Sequence, residues 1–148
     1  MKPTSRILLV EDNPDHQELT LMTLAENNVR NEIVVASDGI EALEYLFGTG
    51  RHAGRDTREL PTLILLDLNL PKLGGIEVLR RVREDERTRY VPVVILTSSS
   101  EHEDIVASLA NGANSYVRKP VDFGRFVEQV QRLHVYWLLV HEPPQGRV

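Results

Sequence analysis

The sequence contains no cysteine. That absence removes disulfide frameworks, cysteine-based zinc sites and thiol nucleophiles together. It fits a reducing compartment. Long hydrophobic runs are missing too. No stretch approaches the roughly 18 apolar residues that a membrane span needs. The first apolar run, residues 7–10, ends in Glu11-Asp12 and is too short for a signal-peptide core. Nor is there an excess of positive charge. Lys and Arg number 17 against 22 Asp and Glu, for a net charge of −5. A nucleic-acid binder neutralises phosphates with cations, so this balance argues against one. No repeat or low-complexity tract occurs. The expectation from 148 residues is one acidic, soluble, cytoplasmic domain over residues 1–148, with no membrane and no nucleic-acid partner. A domain of this size buries roughly 70% of its unfolded surface, enough for a real core.

What is present is an alternation of short apolar runs with segments of helical period. Residues 6–10 (RILLV), 32–36 (EIVVA), 62–66 (TLILL), 92–96 (PVVIL) and 115–117 (SYV) read as strands. Between them, residues 15–28 read as a helix with Leu19, Met22 and Ala25 on its apolar face and Pro14 in its first turn. Asp38 and Glu41 have the spacing of a capping box, before a helix with the stripe Ile40, Leu43 and Phe47. Residues 48–61 (GTGRHAGRDTRELP) read as an exposed loop. Residues 74–84 carry Ile76, Leu79 and Val82 at helical spacing. Ser100 and Glu103 repeat the capping-box spacing, ahead of a face of Ile105, Val106, Leu109 and Ala113. Asp122 is placed to cap a last helix running from residue 123 to about residue 140, and the tail beyond it reads as frayed. Five successive strand–helix units with continuous apolar strands imply a parallel sheet between two helix layers.

Ligands of such sheets sit beyond the carboxyl ends of the strands. The first strand ends in Glu11-Asp12, the third in Asp67, the fourth in Thr97 and Ser98, and Lys119 follows the fifth. Crowded carboxylates need a cation or protons. Oxygen ligands with room for water suit Mg²⁺. A lysine can hold a phosphoryl oxygen, a threonine can donate to it, and a carboxylate can attack phosphorus. The implied chemistry is phosphoryl transfer to an aspartate with Mg²⁺ offsetting the developing charge. The five histidines lack metal-ligand spacing and read as structural or solvated.

The stretches LLVEDN (8–13), LLDLNLP (65–71) followed by Gly74-Gly75, ILTSSS (95–100) and VRKP (117–120) resemble, in this order, the receiver domain of two-component response regulators. The resemblance covers residues 6 to about 140. It implies a flavodoxin-like, doubly wound (βα)5 fold with strand order 2-1-3-4-5. It implies that Asp67 is the phosphoacceptor. Asp12 would hold Mg²⁺ directly, and Glu11, often an aspartate in the family, would help it. Asp67 and the Asn69 backbone carbonyl would complete the protein's share of the ligands. Thr97 matches the switch hydroxyl, Tyr116 the switch aromatic, and Lys119 the lysine that grips the phosphoryl group, with Pro120 in cis. Asn69 and Ser99 occupy positions that tune dephosphorylation. The implied partner is a sensor histidine kinase. An expected stand-alone form, the long loop after the second helix and the WLLV ending narrow the resemblance to small regulators partnered with bacterial phytochrome kinases.

The last helix is unusual. Phe123, Phe126, Val127, Val130, Leu133 and Trp137 form one stripe, and Val135, Tyr136, Leu138 and Leu139 make most of the remaining circumference apolar. A helix apolar nearly all round needs cover nearly all round. The expectation is a homodimer interface at Val135, Tyr136, Leu138 and Leu139. Two other functions compete with this one. A Mg²⁺-dependent phosphohydrolase of the haloacid-dehalogenase type needs an aspartate two residues past its nucleophile. That position holds Asn69, whose amide cannot serve as a general acid or base at neutral pH. A scaffold that never takes phosphate would not need the complete set of Glu11, Asp12, Asp67, Thr97 and Lys119. The expectation is therefore a signalling receiver rather than an enzyme.

Overall fold

The computed structural model describes residues 6–98 and 102–132. Strands β1 (Arg6–Val10), β2 (Glu32–Ala36), β3 (Leu63–Asp67), β4 (Val93–Thr97) and β5 (Ser115–Arg118) alternate with helices α1 (Pro14–Glu26), α2 (Gly39–Phe47), α3 (Gly75–Glu84), α4 (His102–Ala110) and α5 (Phe123–Arg132). The strands form one parallel sheet in the order β2-β1-β3-β4-β5. This is the doubly wound, flavodoxin-like architecture that the sequence implies. No helix among the described residues is long and apolar enough to cross a membrane.

Successive strand residues point to opposite faces, and here both faces are apolar. Ile7, Leu9, Leu63, Leu65, Val94 and Leu96 pack with Leu24 of α1 and Phe126 of α5. Leu8, Val10, Ile64, Leu66, Val93 and Ile95 pack with Ala42, Leu43 and Leu46 of α2 and Val78, Leu79 and Val82 of α3. Burial of each of the larger side chains contributes about 1.5–3 kcal/mol. The helices thus hold the central strands from both sides.

Several expected faces turn out differently. On α1, Leu19, Met22 and Ala25 are exposed, while Thr20 and Leu24 are buried. The apolar stripe that the spacing suggested is therefore the outer one. Ile40 at the start of α2 is also exposed, and Ala42, Tyr45 and Leu46 join Leu43 inside. On α4, Ile105 is buried with Ser108, and Val106 and Leu109 face outward. The segment over residues 48–61 is largely exposed, as expected, but it is not without structure. It contains a 3-10 turn (Gly50–His52) and folds back on α2. The Arg55 guanidinium lies 4.1 Å from the Tyr45 ring centroid and donates to the Tyr45 carbonyl, and His52 meets the same ring edge-on at 5.2 Å. Of the long last helix, only Phe123–Arg132 falls within the described residues.

Asp38 caps α2 as its spacing indicated, accepting from the Glu41 N–H at 2.8 Å, while Glu41 reaches back to the Ser37 N–H at 2.9 Å. Its other oxygen accepts from Lys72 at 3.3 Å, tying α2 to the β3–α3 connection. Burial raises the Asp38 carboxyl, but the Glu41 N–H and the Lys72 ammonium outweigh it and hold it below its ordinary value of 3.8. A carboxyl with a lowered folded pKa contributes stability above its unfolded value and loses it as pH falls through the folded one. Stability in urea should therefore drop below about pH 4, and drop less in Asp38→Asn, which keeps an acceptor but no charge. Equal slopes in the two proteins would exclude Asp38 from the acid response.

Candidate functional site

The parallel register brings the carboxyl ends of β1, β3, β4 and β5 to one edge of the sheet. Two backbone hydrogen bonds carry the ladder one residue past the strands. The Glu11 N–H donates to the Ala36 carbonyl at 3.0 Å, and the Lys119 N–H to the Thr97 carbonyl at 2.9 Å. Glu11 and Lys119 are thereby held at fixed places beside Asp67 and Thr97. Gly75 closes the β3–α3 connection from the other side. A Cβ there would lie 2.5 Å from the Asp67 carbonyl oxygen and 2.7 Å from Leu68 Cα, so only glycine lets α3 start this close to the strand end.

The centre of the site is a buried ammonium between two buried carboxylates. Lys119 Nζ donates to Glu11 Oε1 at 2.7 Å and to Asp67 Oδ2 at 3.2 Å. Side-chain exposure is 7% for Lys119, 0% for Glu11 and 4% for Asp67, so the ion pairs are shielded from water and screened little. The free oxygens are occupied by backbone. Glu11 Oε2 accepts from the Asn13 N–H at 3.2 Å, and Asp67 Oδ1 from the Asn69 N–H at 3.1 Å. Burial pushes the Glu11 carboxyl above its ordinary value; the bonds from Lys119 and Asn13 act against this, and neighbouring Asp67 adds to it. A site that disfavours the charge it carries favours a cation that offsets it.

Among the described residues, Glu11, Asp12 and Asp67 each offer a carboxylate oxygen, all within 4.8 Å of one another. Three carboxylates exceed the single ammonium by two charges. Hard oxygen donors, with Asp12 open to solvent, fit a divalent cation that keeps part of its water. Thr97 is fully buried at the end of β4. Tyr116 lies on β5, opposite Ile95, partly buried against the α2–α3 side of the core. It also lines a groove with Leu109, Arg118, Arg125 and Gln129. Asn69 is exposed just past Asp67. The Lys119–Pro120 peptide bond is cis. Ser99, and Val135, Tyr136, Leu138 and Leu139, lie outside the described residues.

One residue at this edge escaped the sequence reading. His16 Nδ1 lies 3.0 Å from Lys119 Nζ. It belongs to the first turn of α1, where Asn13 Oδ1 accepts from the N–H groups of Asp15 and His16. The available signal was its spacing, four residues after Asp12 and just beyond a helix start, which returns a side chain toward the strand end.

Residues 7–131 match the family described as the response regulator receiver domain. The chain is 40% identical over 132 residues to the probable methanogenesis regulatory protein FilR2 of Methanothrix harundinacea, covering 89% of this chain and 83% of that one. The structure of the bacteriophytochrome response regulator AtBRR superposes with a TM-score of 0.82 at 47% identity, over 95% of this chain and all of that one. The Mn²⁺-bound form of response regulator Rcp1, a protein of Synechocystis, superposes with a TM-score of 0.73 at 33% identity, over 95% of this chain and 99% of that one.

Proposed function

The chain belongs to the response regulator receiver domain family, and on that premise we propose that it takes a phosphoryl group from a histidine kinase onto Asp67. The P–N bond of a phosphohistidine breaks as a P–O bond to the Asp67 carboxylate forms, and the released imidazole nitrogen is free to take a proton. The observation that carries this reading is the Lys119 ammonium, buried and bonded to both Asp67 and Glu11. It places a positive charge beside the nucleophile, where a phosphoryl oxygen would arrive. Glu11, Asp12, Asp67 and the Asn69 carbonyl would hold Mg²⁺, with the acidic cluster and the Mn²⁺-bound form of Rcp1 in support. When bound, the ion offsets charge on the phosphoryl oxygens.

The switch then follows from differential contacts, since a phosphoryl group can shift only an equilibrium between states it contacts differently. Thr97 turns its hydroxyl to the phosphoryl group, Lys119 grips it, and Tyr116 moves with Thr97. Asn69 and Ser99 set the access of the water that removes it. The last helix forms a homodimer through Val135, Tyr136, Leu138 and Leu139. The kinase is a bacteriophytochrome, by likeness to AtBRR. Phosphohydrolase chemistry is disfavoured because the Asn69 amide cannot serve as a general acid or base near neutral pH.

Intact mass after incubation with acetyl phosphate tests the reading, with light scattering on the same samples. The expected result is one added phosphoryl group with Mg²⁺ and none after chelation. Absence of uptake from acetyl phosphate and from a phytochrome kinase, together with no binding of beryllofluoride, would overturn it. A monomer at micromolar concentration would overturn the dimer.

A further inference from the structure

Lys119 Nζ has three N–H groups and no lone pair to accept with. Glu11 Oε1 takes one at 2.7 Å and Asp67 Oδ2 another at 3.2 Å. The third meets His16 Nδ1 at 3.0 Å. A donor-only ammonium can bond this nitrogen only when it is bare, so the contact puts the imidazole proton on Nε2. His16 is 38% exposed. With Leu19, Thr20, Ser98, Pro120 and Val121 it walls a pocket of about 210 Å³ that reaches Lys119. The imidazole therefore stands between the ammonium and solvent on the α1 side of the site.

We propose that His16 is a positioning residue for phosphoryl uptake: its Nδ1 holds the Lys119 ammonium between Glu11 and Asp67 before the phosphoryl group arrives. The inference rests on the function proposed above. Lysine is a point charge on a flexible four-carbon stem, and two acceptors leave it free to swing about the line joining them. Without the third, the ammonium settles on Glu11, its nearer partner, or turns toward water in the pocket. Either motion draws it off the Asp67 side, where it must act. A charge aimed in advance assists the transfer; one that must first be gathered does not. The fold does not depend on the imidazole, because Asn13 caps the first turn of α1 through backbone N–H groups alone.

A double-mutant cycle tests this, reading the second-order rate constant for uptake from acetyl phosphate at saturating Mg²⁺ by intact mass. His16→Leu is expected to lower the constant about 5-fold. His16→Asn, whose Oδ1 occupies the place of Nδ1, recovers most of that loss. Once Lys119 is alanine, His16→Leu costs nothing further, because the two residues act as one unit. The ¹⁵N spectrum of the unphosphorylated protein supplies a second readout. The Lys119 ammonium exchanges slowly in the wild type and in His16→Asn, and its signal is lost in His16→Leu. A wild-type rate in His16→Leu, an undiminished loss in the Lys119→Ala background, or an imidazole with its proton on Nδ1 would overturn the role of His16. A wild-type chain that takes no phosphoryl group, with the ammonium still protected, would overturn the proposed function and this role with it. The two failures are therefore distinguishable.

Discussion

Asp67→Asn is expected to abolish phosphoryl uptake while leaving the fold intact. The amide has nearly the shape of the carboxylate, so the buried position opens no cavity. Its oxygen can still accept from the Asn69 N–H or from Lys119. What is lost is the charge that the proposed nucleophile needs and one of three carboxylates that could hold the cation. Uptake from acetyl phosphate should fall below detection, whereas Lys119→Ala, which removes one donor to the transferring group, should cost about 10²–10³-fold. Stability of Asp67→Asn in urea should change by less than about 1 kcal/mol, because losing the Lys119 ion pair is offset by relief of carboxylate crowding. Intact mass checks the first result. An unchanged mass gain in Asp67→Asn would move the acceptor to another side chain, with Asp12 the first to examine.

The largest expected effect on stability lies in the core between the sheet and α5. Phe126 is the bulkiest fully buried side chain among the described residues and belongs to the core cluster between α5 and the sheet that also holds Leu24, Leu96, Val117 and Val121. Its ring also leans on Phe123, with centroids 6.1 Å apart. Truncation to alanine should cost about 3–5 kcal/mol, the transfer term plus the cavity. Domains are stable by only about 5–15 kcal/mol in total, so Phe126→Ala should bring the chain near its unfolding threshold. Phe126→Leu, closer in volume, should cost much less. Urea unfolding with an unchanged slope would read both. A cost under about 1 kcal/mol for Phe126→Ala would mean that α5 is anchored elsewhere.

The sequence by itself determined the order of elements, the doubly covered parallel sheet and the edge that carries the site. It could do so because these features are local. Ile7 and Leu9 face one side while Leu8 and Val10 face the other, and a strand apolar on both sides must be covered on both. Glu11, Asp12, Asp67 and Thr97 could be named as candidates because each ends or directly follows such a strand, and strand ends are where a parallel sheet exposes its chemistry. Helix faces were less legible. Helix α1 carries two rows at helical spacing, Leu19-Met22-Ala25 and Thr20-Leu24. Hydrophobicity favours the first, but the second faces the sheet, because the axis set by its connections turns it inward.

Tertiary structure alone decided the contacts that cross the chain. Lys119 meets His16 over a separation of 103 residues. Arg83 joins the carbonyls of Arg89, Val91 and Gly112 to the Asn114 side chain in one hydrogen-bonded fork. No periodicity marks His16 or Arg83. Each is polar, each would be read as solvated, and each gains its partners only when the sheet brings distant strand ends together. Strand and helix patterns record which surface a residue hides. They do not record which donor will find which acceptor, since that follows from register and packing angle, quantities fixed by the whole core at once.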